Sequence, residues 1–161
     1  MCQGPTLVNE HSFTTAEFIE QFMMAKIPGV AKMMFPMVDV RDAALAHVRA
    51  VEVEQAKDQR IIIVGANIWF KEFAEIIYEN FSKYGYKPKT GEIKFWMLKV
   101  ASWIDDTAKS IIPQWDKEQR LSNKLSMDLL GMEYHSHKDT IIDTCYNMIE
   151  QGFVKDKRKK K

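Results

Sequence analysis

The run Arg60-Ile61-Ile62-Ile63-Val64-Gly65 limits what this chain can fold into more than any other stretch. Its four successive β-branched residues leave no face for water. Such a run predicts a strand buried on both sides, as in a mostly parallel sheet. The rest of the sequence offers little to build that sheet: one short strand pattern, Met37-Val38-Asp39-Val40, and a stub at Thr6-Leu7-Val8. A wholly apolar strand left unpaired is an aggregation site. The expectation is therefore that the other strands lie outside these residues and that a protein partner pairs with the strand Ile61–Val64.

The other apolar segments carry helical periodicity with start and stop signals. Thr14-x-x-Glu17 reads as a capping box ahead of Phe18, Ile19, Phe22 and Met23, stopped by Pro28-Gly29. Asp42 is placed to cap a second helix with Leu45, Val48 and Val51 at turn spacing. A third, from about Asn67, puts Phe70, Phe73, Ala74, Ile77 and Phe81 on one stripe before Gly85. A fourth is predicted from Glu92 to Ile112, ending before Pro113. A short fifth follows Ser122 and stops at Gly131. The last opens at Ser136-x-x-Asp139, buries Ile141, Ile142, Cys145, Met148 and Ile149, and stops at Gly152.

The 161 residues, 46% hydrophobic and 28% charged, suit one globular domain rather than a disordered or fibrous chain. No apolar run reaches the roughly 18 residues of a membrane span, and the first residues do not read as a signal peptide. Cys2 and Cys145 give neither a disulfide framework nor a metal knuckle, which points to an intracellular, reducing compartment, by default the cytoplasm. The net charge of +1 divides unevenly. Residues 155–161 hold six basic side chains and one acidic, so residues 1–154 are mildly acidic. That division reads as a domain over 1–154 and a basic, disordered tail over 155–161. It argues against a nucleic-acid-binding face, which would spread positive charge over folded surface.

Several landmarks come in a familiar order: Gly4-Pro5, then Val38-Asp39-Val40-Arg41-Asp42-Ala43-Ala44-x-Ala46-His47, then Gln59-Arg60-Ile61-Ile62-Ile63, then Ser122-Asn123-Lys124 and Leu130-Gly131. Over about residues 4 to 152 the chain resembles the C-terminal half of the extended short-chain dehydrogenase/reductases. The nearest branch is that of dihydroflavonol and methylglyoxal reductases, within the NAD-dependent epimerase/dehydratase superfamily. The resemblance implies an α/β fold: the helix-rich substrate lobe of a Rossmann-type reductase, with two or three short strands and without most of the parallel sheet. It also implies contacts to the cofactor from Gly4, Pro5 and Ser12. The residues of the junction make sense in themselves, since Asp39 and Arg41 can form a polar pair at the turn. His47 reads as a packed or hydrogen-bonded histidine.

The departures from the family matter as much. Its glycine-rich turn cradles the dinucleotide pyrophosphate at a helix N-terminus, and the seven glycines here never approach that spacing. Its catalytic Ser and Tyr-x-x-x-Lys lie N-terminal to the matching region. Tyr134-His135-Ser136-His137-Lys138 fits Tyr-x-x-x-Lys by letter but sits far downstream, so no catalytic residue is assigned. His135 and His137 lack the further ligands that a metal site needs. Phe95, Trp96 and Trp103, on one predicted helix, read as core, with a substrate pocket as the alternative. Two functions follow. One is the substrate-binding half of an NAD(P)H-dependent aldehyde or ketone reductase, binding cofactor only when an N-terminal half completes it. The other is a pseudoenzyme serving as a structural or interaction subunit.

Overall fold

The structure, a computed structural model, describes residues 1–6 and 14–158. Candidate residue Ser12 and most of the Thr6-Leu7-Val8 stub lie outside them. The described chain is helix-rich, with a small sheet of order β1-β2-β3. The strands are β1 (Cys2–Gln3), β2 (Met34–Asp39) and β3 (Ala66–Trp69). The helices are α1 (Thr14–Met23), α2 (Val40–Glu52), α3 (Phe70–Phe81), α4 (Phe95–Ala101), α5 (Asp106–Ile111), α6 (Lys124–Leu130) and α7 (His137–Glu150). This is the α/β class expected, with most of a parallel sheet missing. No helix among the described residues is long and apolar enough to cross a membrane.

The central strand serves two partners with its two ends. Residues Met34 to Met37 pair antiparallel with Trp69 to Ala66, and Val38 and Asp39 pair parallel with Cys2 and Gln3. The strand then runs straight into α2, where Asp39 is the cap and its carboxylate accepts from the Arg41 amide. Asp42 is therefore not the cap. It sits buried in the first turn and accepts from the His135 amide at 2.9 Å, tying α2 to the segment before α7.

The Ile61–Val64 strand does not form. The segment lies outside any ladder, and the strand begins two residues later, at Ala66. Gly65 donates its N–H to the Met37 carbonyl, and the Asn123 amide occupies the Val64 carbonyl. Ile61 and Ile63 pack instead on a small cluster of Ala46, Ala56, Leu130 and Met132 between α2 and α6. Ile61, Ile62 and Ile63 stay half-buried, and Val64 is buried.

The main core packs α1, α3 and α7 together. Phe70, Phe73, Ala74, Ile77 and Phe81 all face it from α3, as their spacing predicts, and Ile141, Cys145, Met148 and Ile149 meet them from α7. The rings of Phe18, Phe22, Phe35 and Phe70 surround Phe73 at 5.6 to 6.2 Å between centroids. Burial pushes the Cys145 thiol upward, so it behaves as an apolar core side chain. The predicted Glu92–Ile112 helix is two helices. Asp105 accepts from the amides of Thr107 and Ala108 and starts α5 afresh. Phe95 rests on Trp115 at 5.3 Å. Trp96 and Trp103 are 63% and 85% exposed, so they belong neither to the core nor to the main cavity. At the other end of the chain, the Tyr86 hydroxyl donates to the Lys155 carbonyl and accepts from the Lys157 amide, holding the start of the basic segment against the body.

Candidate functional site

Gly4 leaves β1 with φ +145° in a place only glycine can occupy. A Cβ there would stand 2.6 Å from Val40 Cγ1 and 3.1 Å from Asp39 Oδ1. Chain and helix start are thus pressed together. Gly4 and Pro5 run on along the wall of a cavity of about 580 Å³. Ala16 and Ile19 of α1, Thr144 and Met148 of α7, and Val40 and Ala44 of α2 also line it. Two of the three residues assigned by resemblance, Gly4 and Pro5, therefore border this cavity.

One polar side chain in that wall is incompletely satisfied. Gln3 is 2% exposed, and its Nε2 donates to Met1 Sδ at 3.3 Å. Its Oε1 is buried with no hydrogen-bond partner. An orphaned buried acceptor forfeits about 1–3 kcal/mol.

Among the described residues Arg41 is the one charged member of the lining, and it is already engaged. Its Nε and Nη2 grip the two Asp39 oxygens at 2.9 and 2.7 Å, and Nη2 also reaches Asp143 at 2.9 Å. Thr140 adds a hydroxyl to Asp39 from α7 at 2.8 Å. Burial by itself would raise the Asp39 carboxyl; the bonds from the Arg41 side chain and backbone and from Thr140 outweigh it and hold the group below the ordinary carboxylate range. This network joins β2, α2 and α7. It leaves no free cation among the described lining residues, which suit a neutral or apolar group.

The remaining sequence candidates lie elsewhere. The Tyr134 hydroxyl is 2.6 Å from Ser126 Oγ, whose own proton goes to the Asn123 carbonyl at 2.7 Å. Tyr134 and Lys138 share no hydrogen bond among the described residues, and neither borders the cavity. His135 Nδ1 is 2.5 Å from Asp42 Oδ1, and His137 Nε2 is 2.9 Å from Glu72 Oε1. Each histidine has its own carboxylate, and no group of three or more His, Cys, Asp or Glu side chains comes together among the described residues. His47 bonds through Nδ1 to the Ala43 carbonyl, one turn back. Sequence reasoning missed Gln3, Thr144 and Met148 as cavity residues. The α7 stripe could have pointed to Thr144 and Met148.

No family model matches the sequence. An uncharacterised oxidoreductase of Saccharomyces cerevisiae is 26% identical over 115 residues, which span 71% of this chain and 29% of that protein. Among solved structures, Gre2 of Candida albicans in complex with NADPH superposes with a TM-score of 0.67 at 24% identity, over 94% of this chain and 42% of its own. Yeast methylglyoxal/isovaleraldehyde reductase Gre2, complexed with NADPH, gives 0.67 at 21% identity, over 93% of this chain and 44% of its own. A nucleoside-diphosphate-sugar epimerase from Pseudomonas aeruginosa gives 0.74 at 15% identity, over 96% and 47%. The chain spans less than half the length of each of these proteins. It shares its fold with a part of these reductases and of the epimerase, 42 to 47% of their length.

Proposed function

We propose that this chain is the substrate-binding half of an NAD(P)H-dependent carbonyl reductase and that it is not catalytic alone. The observation that carries this reading is the match of 94% of the chain to 42% of an NADPH-bound reductase. The chemistry of the cavity supports it. A mostly apolar hollow with a few polar groups at its edge suits an aldehyde or ketone and the uncharged end of a cofactor. When bound, NAD(P)H would supply the hydride. This chain's part is to shape the hollow, with Gly4 and Pro5 along one wall and α1 and α7 excluding water from the others. Asp39, Arg41 and Thr140 keep β2, α2 and α7 in register and act as positioning residues. The dinucleotide cradle and the proton-transfer groups would come from a nucleotide-binding half that these 161 residues do not contain.

The test is complementation. The chain is mixed with the nucleotide-binding half of Candida albicans Gre2, expressed without the region that matches this chain, and NADPH oxidation is followed with a panel of aldehydes and ketones. Turnover in the mixture and in neither component alone is the expected result. A stable complex that reduces nothing would instead favour the interaction-subunit reading.

A further inference from the structure

We infer that the apolar side of α4 and the turn after it, with the lysines around them, form a docking face for an anionic phospholipid surface. This part of the chain lines no wall of the cavity described above, and the inference does not depend on the reductase reading. Trp96, Val100 and Trp103 are spaced four and three apart and so share one side, with Met97 and Ile104 alongside. Trp103 and Ile104 stand in the turn that closes α4, where their amides donate to the Val100 and Ala101 carbonyls at 3.2 and 3.1 Å. Exposure is greatest there: Val100 is 54% exposed, Trp103 85% and Ile104 94%. Leu98 is buried on the other side of the helix, and Phe95 rests on Trp115. Large apolar side chains grouped on open surface mark a site of association.

The charges around this stripe are mostly positive and mostly unpaired. Residues 87–109 hold five lysines and three acidic residues, in a body that is otherwise mildly acidic. Lys87, Lys89, Lys94 and Lys99 are exposed, and none of them is in an ion pair among the described residues. Lys99 borders the stripe, with its Nζ 5.3 Å from the centre of the Phe95 ring. The nearby carboxylates are largely engaged. Asp105 accepts from the Thr107 and Ala108 amides, and Glu92 lines a separate hollow with Lys32 and Lys71. Asp116 pairs with Lys32 and Glu118 with Arg120, which leaves Asp106 exposed. The basic segment adds to the same charge. The Tyr86 hydroxyl holds the backbone of Lys155 and Lys157, and Lys157 Nζ lies 3.5 Å from the Gly85 carbonyl, two residues before Lys87.

Two features select a lipid surface as the occupant. The two most exposed apolar side chains project from a turn, and fluid acyl chains take up such a tip without a pocket shaped to receive it. Tryptophan favours the boundary between hydrocarbon and headgroups, and lysines bordering an apolar helix side reach anionic headgroups from there. Charge complementarity then sets the sign of the surface, with each lysine near it worth about 1 kcal/mol, or roughly fivefold in affinity.

The test mixes the 161-residue chain with vesicles of about three parts phosphatidylcholine to one part phosphatidylserine, or of phosphatidylcholine alone, and reads binding by flotation. Binding to the anionic vesicles is expected, about tenfold or more tighter than to the neutral ones and weaker as salt rises. Trp103→Ser combined with Ile104→Ser should weaken it by about thirtyfold or more. Lys94→Glu combined with Lys99→Glu should weaken it by about tenfold or more. All four side chains are exposed, so the thermal midpoint of the free chain should not move. Val51→Ser, at an exposed apolar position on α2, should bind as the wild type does. The inference is overturned if the anionic vesicles are not bound, if neutral vesicles are bound equally well, or if either double variant binds normally. It is overturned too if Val51→Ser is as damaging as the Trp103 and Ile104 pair. Self-association that this pair abolishes, without vesicle binding, would overturn it as well and assign the stripe to a second copy of the chain.

Discussion

Replacing Asp39 by alanine is expected to destabilise the chain by about 3–5 kcal/mol, because it breaks a buried charged network on one side only. The Asp39 side chain is fully buried and takes three kinds of bond: the α2 cap from the Arg41 amide, the fork of the Arg41 guanidinium, and the Thr140 hydroxyl. Alanine leaves the Thr140 hydroxyl without its acceptor and Arg41 with only Asp143. Loss of the cap alone is worth about 1 kcal/mol. Urea unfolding checks the figure, and a loss below about 1.5 kcal/mol, the worth of one ordinary hydrogen bond, would contradict the role given to the network. The pH dependence follows in sign. The folded Asp39 carboxyl lies below its unfolded value, so its contribution is complete above the ordinary carboxylate range and disappears as the pH falls through the folded value. Wild-type stability should therefore drop in acid, and Asp39→Ala should flatten that drop.

Phe73→Ala should be as damaging, at about 3–5 kcal/mol. Phe73 is 0% exposed and its ring meets those of Phe18, Phe22, Phe35 and Phe70. Four rings held by α1, β2 and α3 cannot all collapse into the space it leaves. Trp103→Ala, at 85% exposure, serves as the comparison and should change stability by about 0.5 kcal/mol or less. Equal effects from the two would mean that the ring cluster is not the centre of the core.

Residues with periodic neighbours were legible in the sequence, and residues whose partners lie far along the chain were not. The α3 stripe could be read because one helix face decides its burial locally. So could the Asp39–Arg41 pair, two positions apart. The Ile61–Ile63 run could not, because an apolar run without a polar face suits a buried strand and a packed loop equally. What decides is β2, which follows the chain only as far as Gly65. Asp42 resembled a cap by its position, and only the distant His135 amide shows what it holds. The break between α4 and α5 was readable in principle, since Asp105 is a strong N-cap residue in the middle of the proposed helix. At the site, Gly4 and Pro5 were indicated by resemblance alone. Gln3, one residue earlier, carries no sequence signal, because an unsatisfied amide is a property of what surrounds it.

The measurement that bears most directly on the central claim is calorimetry of NADPH with the chain by itself, paired with an assay of aldehyde reduction. A lobe with no free cation among the described residues of its cavity, in a sequence with no glycine-rich turn, should bind the dinucleotide no more tightly than millimolar, on the order of −4 kcal/mol, and should oxidise none of it. A micromolar dissociation constant would contradict the account, and so would turnover that Tyr134→Phe abolishes, which would make the region of Ser126 and Tyr134 the active site.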